Sequence, residues 1–208
     1  MARLTLLLSA SLLALAACGG EGAVTGTEDA TVQTQTAGAV DPKIAAEMEK
    51  LKKVQAELAA QKPAFDAAKA ANDIIRLEEL ADAGNVHAQY DRALTRLASD
   101  DYMLQQGGFE DMEAASEAGL PEAQLWVGQR MAFGKEGYKL QPASGLKLME
   151  KAAAAGNLDA ILAVAAMYAQ DAYMADKKKA AEWYQRAADK GSDEAKSWLE
   201  TLKSDTDS

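Results

Sequence analysis

Four glycines, Gly84, Gly119, Gly156 and Gly191, recur at spacings of 35, 37 and 35 residues, and no other feature of this 208-residue chain restricts its fold as much. An alanine stands four residues after each: Ala88, Ala123, Ala160 and Ala195. A small residue stands three before each (Ala81, Ser116, Ala153, Ala188) and a large one seven before (Leu77, Met112, Met149, Tyr184). Self-similarity at this period is the mark of a helical solenoid, in which each repeat buries its apolar face against its neighbours.

Each glycine has a local reason. A helix ends there, and glycine takes the left-handed position after the last turn without a steric penalty. Asn85, Asn157 and Ser192 follow three of them and are good N-caps for a second helix. Leu120 follows the fourth, and Pro121 then suits a first helical turn. The pattern predicts very short turns between antiparallel helices, with the small residues allowing close approach.

A second register runs through the longer connections. Tyr102, Tyr138 and Tyr173 fall 18, 19 and 17 residues after their glycines. Three residues beyond each tyrosine stands Gln105, Gln141 or Asp176, and Asp176 can cap the next helix. The tyrosines are expected to plug the open ends of the hairpins; the competing account is a row of exposed stacking groups. Gly107-Gly108 reads as a turn.

Three segments carry a family resemblance: Ala180 to Gly191 (AAEWYQRAADKG), Leu148 to Gly156 (LMEKAAAAG) and Ala118 to Gly128 (AGLPEAQLWVG). With Met167-Tyr168 at the end of a first helix, they make the chain resemble the Sel1-like repeat proteins, the tetratricopeptide-related helical hairpins, over about residues 73–203. The family's Gly-x-Gly-Val loop is reduced to Gly134 and Gly137-Tyr138 in one repeat and is lost around Tyr173. The first repeat carries Arg92 where the family has a large apolar residue. The resemblance implies an all-α solenoid of about three hairpins between capping helices. It also implies an adaptor role in envelope assembly, secretion or signalling.

The N-terminus carries a separate message. Arg3 precedes an apolar stretch from Leu4 to Leu15, which has the length of a signal h-region and is too short to span a bilayer. Leu15-Ala16-Ala17-Cys18 resembles the lipobox of bacterial lipoproteins. That resemblance implies cleavage after residue 17, an S-diacylglycerol and an N-acyl chain on Cys18, and anchoring in a bilayer, which two or more chains make stable. Gly19 in place of aspartate points to the outer membrane, facing the periplasm. Residues 18–41, rich in Gly, Ala, Thr and Gln, read as a flexible tether spanning on the order of 25 Å.

From Pro42, Ile44, Met48, Leu51 and Leu58 recur at helical spacing. They predict an amphipathic helix to about Gln61, supported by a Glu49–Lys53 pair and ended by Pro63. Capping helices packed on the array are expected over residues 42–72, with a short coiled coil as the alternative for the first. Residues 204–208 read as a disordered tail.

The formal charge of −10 becomes −11 once residues 1–17, with Arg3 and no acid, are removed. That argues against nucleic acid as a partner. Cys18 is the only cysteine, so no disulfide forms within the chain and burial must supply stability. His87 is the only histidine and makes no metal site alone. Glu78-Glu79 and Asp100-Asp101 read as solvated charge. No cofactor, metal or catalytic residue is expected.

Trp126 and Trp198 stand seven residues after their glycines, at equivalent positions. A large aromatic there either anchors a partner or packs between repeats. Gln89, Arg92, Gln124, Gln129 and Arg130 are polar on the first helices and, with the tryptophans, are the candidates for a concave binding surface. The expected function is a lipid-anchored scaffold for an envelope protein or peptide. The alternatives are a structural subunit assembled through the helix at 43–61, and an enzyme acting on cell-wall material.

Overall fold

The computed structural model describes residues 41–170 and 175–206, with side chains up to 202. Among the described residues there are nine helices and no strands. They are α1 (Pro42–Ala70), α2 (Ile74–Asp82), α3 (Val86–Leu97), α4 (Tyr102–Glu117), α5 (Pro121–Phe133), α6 (Pro142–Ala154), α7 (Leu158–Gln170), α8 (Lys177–Asp189) and α9 (Asp193–Thr206). The pairs α3–α4, α5–α6 and α7–α8 are hairpins; α1 and α2 flank them on one side and α9 on the other. This is the expected solenoid of three hairpins.

All four repeat glycines hold a positive φ, between 83° and 96°. At each, the glycine N–H donates three residues back and the next N–H five residues back. Gly84 to Ala81 with Asn85 to Leu80 is one case, and Gly191 to Ala188 with Ser192 to Ala187 another. This double bond satisfies carbonyls that the helix end would leave free. Asn85, Asn157 and Ser192 then cap α3, α7 and α9, accepting from the backbone N–H three residues on at 3.1, 2.9 and 3.2 Å. The alanines four after each glycine are buried to 2% exposure or less, which lets successive helices close up.

Several expectations are corrected. Pro63 does not end the first helix: α1 runs through it for 29 residues. An interior proline costs about 3 kcal/mol, and packing holds the helix together beyond it, where Phe65 and Ala68 meet Leu77, Leu80, Ala81 and Ala88. The stripe that packs is Val54, Leu58, Phe65 and Ala68, whereas Ile44 and Met48 are 54% and 52% exposed. The N-terminal part of α1 therefore stands off the array. Glu49 lies nearest Lys52 (3.8 Å), and Lys53 pairs with Glu57 (4.0 Å).

Gly107-Gly108 is not a turn but lies inside α4. A side chain at Gly108 would meet Leu97 Cγ at 2.9 Å and the Ala93 carbonyl oxygen at 3.1 Å, so the glycine lets α3 and α4 touch. Tyr102 plugs nothing: it is the first residue of α4 and 67% exposed, because Asp101 caps the helix one residue earlier than a loop would require. Helix α9 continues to Thr206, into the segment expected as a tail. Cys18, the tether as far as residue 40 and Tyr173 lie outside the described residues.

Candidate functional site

The seventh residue after each glycine is Asp91, Trp126, Ala163 and Trp198 in turn. Both tryptophans pack back against the preceding hairpin. Trp198 stacks on Tyr184 of α8, centroids 4.2 Å apart and planes at 22°. Trp126 meets Phe109 of α4 at 6.0 Å and Tyr138 of the α5–α6 connection at 6.3 Å. The Arg130 guanidinium lies 3.3 Å from the Trp126 ring centre and is held there by Glu136, with Nε to Oε2 at 2.6 Å. Packing between repeats is thus what these tryptophans do, and Arg130 is the lid of that cluster.

The other candidates divide. Gln124 is 7% exposed, its amide turned to the Ser116 carbonyl at 3.4 Å, so it offers nothing to a partner. Arg92 is also withdrawn. Its Nε and Nη2 donate to Asp111 at 2.8 and 2.7 Å, and Glu78 and Asp82 take Nη1. The arginine in place of an apolar residue is balanced by a buried aspartate on α4. Its guanidinium is held protonated above the usual arginine range, chiefly by Asp111. Gln89 is half-buried on α3. Gln129 alone opens onto a concavity.

That concavity is a groove of about 370 Å³ between α5 and α7, floored by Met149, Ala163, Ala166 and Met167 and walled by Gln129, Phe133 and Gln170. Such a volume sits at the small end of the ligand-pocket range of about 300–1,000 Å³. Phe133 is 49% exposed. Phe133 and Gln170 are equivalent, fourteen after their glycines and last in their helices. Sequence reasoning missed both. The signal that would have found them is the residues seven, ten and fourteen along each first helix, which share one face.

Of the two described tyrosines of its register, Tyr138 is placed as a plug. Its hydroxyl oxygen is buried, and the Glu113 carboxylate beside it falls outside hydrogen-bond geometry. Burial first, and then Glu113, push its pKa up. Burial likewise raises Tyr90, Tyr168 and Tyr184. A phenol whose folded pKa exceeds the unfolded value of about 10 favours the folded state fully below that pH and progressively less above it. Stability is therefore expected to fall above about pH 10. Tyr138→Phe is expected to flatten that fall while changing stability at neutral pH by less than about 1 kcal/mol, as urea titrations across the pH range would measure.

His87 is structural. Its Nε2 donates to the Leu58 carbonyl at 3.0 Å and its ring stacks on Phe65 at 5.9 Å, tying α3 to α1. Glu78 and Glu79 are engaged by arginines, and Asp101 caps α4. Among the described residues no cluster of three metal-ligating side chains occurs, and no helix is long and apolar enough to cross a membrane.

Left-handed glycine turns, antiparallel hairpins and an open groove between first helices define an α-solenoid of the kind that generally serves as a protein–protein interaction scaffold. The chain belongs to the Sel1 repeat family. It is similar to a Sel1 repeat protein from Oxalobacter formigenes, with 30% identity over 62% of this chain and 98% of that one, at a TM-score of 0.55. It shares its fold with c5321, a protective antigen present in uropathogenic Escherichia coli strains, at 20% identity and a TM-score of 0.55, covering 77% of this chain and 35% of that one. No protein-family model matches the sequence, and no curated protein does.

Proposed function

We propose that the chain is a lipid-anchored, non-enzymatic scaffold of the bacterial cell envelope. In this reading it is held by acyl chains on Cys18 in the outer membrane, faces the periplasm, and binds a protein or peptide in the groove between α5 and α7. One observation carries the binding assignment: an open, apolar-floored groove edged by two carboxamides, with Phe133 half-exposed beside it. Carboxamides can both donate to and accept from an extended backbone. The signal-like leader and Leu15-Ala16-Ala17-Cys18 support the anchor. The second reading, a structural subunit, is favoured by one feature, the free N-terminal part of α1 with Ile44 and Met48 uncovered.

A single experiment separates the two. A photo-cross-linking side chain is placed at Phe133, at Ile44 or, as a control, at exposed Glu182 on a second helix, in the full-length protein in its native membranes. A discrete cross-linked product from Phe133 and none from Glu182 is expected. Products from Ile44 alone would replace the scaffold reading with the structural one. Equal labelling from all three positions would overturn both.

A further inference from the structure

Deepening the scaffold reading, on which it rests, we propose that the groove receives a bulky aromatic side chain of an acidic partner segment, whose carboxylates meet a rim of lysines. Two independent observations carry this. The first is internal to the repeat. The residue seven before the glycine and the residue seven after it form a pair at each of the four turns: Leu77 with Asp91, Met112 with Trp126, Met149 with Ala163, Tyr184 with Trp198. Where the second residue is tryptophan, its ring packs into the core at that turn: Trp198 stacks on Tyr184, and Trp126 packs against the cluster that includes Met112. In the middle repeat the second residue is Ala163, and the groove opens over Met149 and Ala163. The groove thus lies at a turn whose second residue is alanine where two other turns carry an indole.

The second observation is charge. Phe133 and Gln170, which wall the groove, end α5 and α7, and of the stretches that follow residues 134–141 and 175–179 are described. These carry Lys135 and Lys139 after α5, and Lys177, Lys178 and Lys179 at the start of α8. All five are exposed, and none is ion-paired with another described residue. Lys135 rests over the ring of Phe133, a groove wall, at 5.6 Å; the start of α8 is held at the end of α7 by the Asp176 N–H on the Tyr168 carbonyl at 2.7 Å, with Lys179 over the Tyr168 ring at 5.1 Å. Of the nearby acids among the described residues, Glu136 is taken by Arg130, Asp176 caps α8 and Glu150 accepts from the Tyr168 hydroxyl. No lining residue is charged. A chain of formal charge −10 thus presents a local cationic rim where its groove opens. Such a rim steers and selects an acidic segment and disfavours a basic one.

The test pans a random-peptide phage library on the folded full-length protein, then measures affinities of the selected peptides by fluorescence anisotropy. Selected peptides should pair Trp, Phe or Tyr with Asp or Glu a few positions away, and should bind more weakly as salt rises. Ala163→Trp, which repeats the solution of the neighbouring repeats, should weaken binding by about tenfold or more. Lys177→Glu with Lys178→Glu, which alters only exposed side chains and suits a helix start, should weaken it by about tenfold; it decides the matter if Ala163→Trp fails to fold. Peptides without this composition, or binding indifferent to the substitutions, would overturn the inference. The groove reading would survive if Phe133→Glu still abolished that binding. No peptide retained by folded protein would overturn both.

Discussion

Gly145→Ala is expected to destabilise the protein by about 2 kcal/mol or more, although alanine is favoured over glycine by about 1 kcal/mol in a helix interior. The outcome turns on what the added methyl meets. Gly145 of α6 and Gly128 of α5 face one another, and the methyl would run into the Gly128 carbonyl oxygen and the Ala132 backbone nitrogen, with Ala132 Cβ at 2.8 Å. Backbone atoms on a packed helix cannot swing aside, so the hairpin must splay and its neighbours Met149 and Val127 lose contacts. Gly107→Ala is the matched control. Its methyl would meet only the end of the Arg96 side chain, Nη1 at 3.2 Å, which need give by only a few tenths of an ångström and can do so while keeping its bond to Asp111. That change is expected to be neutral or to stabilise by up to about 1 kcal/mol. Urea unfolding of the two variants beside the parent measures the contrast. A Gly145→Ala midpoint equal to the parent's would show that the helices do not touch at this point.

The second large effect lies at Asp111, 7% exposed on α4. It takes two bonds from Arg92 and one from Arg96 at 2.9 Å. Removing it leaves a mostly buried guanidinium short of its main partner, a loss of about 3 kcal/mol for Asp111→Ala. The value falls at the low end for a buried pair because Glu78 and Asp82 remain on Arg92. Replacing both partners, Arg92→Leu with Asp111→Leu, is expected to recover most of the loss, since the buried guanidinium and carboxylate go together and the charges they leave, Glu78, Asp82 and Arg96, reach solvent, with Arg96 3.9 Å from Glu78. Thermal unfolding of Arg92→Leu, Asp111→Leu and the double closes the cycle. A double variant as weak as the sum of the singles would mean that the pair is not coupled.

The fold was largely legible because each repeat glycine stands in a conformation that side chains resist, and because its neighbours at fixed offsets must be small. Backbone chemistry of that kind repeats and can be read. The three hairpins, the caps at Asn85, Asn157 and Ser192, and the end at α9 followed from it. What misled was residue type taken without its packing partner. Pro63 and Gly107-Gly108 are ordinary breakers, yet Phe65 and Ala68 hold one helix past its proline, and Leu97 and Ala93 require glycine in the other. The binding surface was read least well. Gln124 and Arg92 are polar, but polarity on a first helix does not tell a solvent-facing residue from one satisfied inside. Ala163 and Lys177 to Lys179 gave no signal singly; only comparison with Trp126 and Trp198, and the direction of α5 and α7, brings them together.

The long helix α1 has a mechanical consequence. Helices of a solenoid touch mainly their neighbours in sequence, so a pulled end should peel away one unit at a time. Here α1 reaches further. Its Leu58 carbonyl holds His87, its Gln61 side chain and carbonyl hold the α2–α3 turn, and Val54 lies against Gly119 at the next turn. A load entering at the N-terminal end of α1 is thereby shared between two successive turns and acts along a 29-residue helix in shear. The start of the array resists traction as one block.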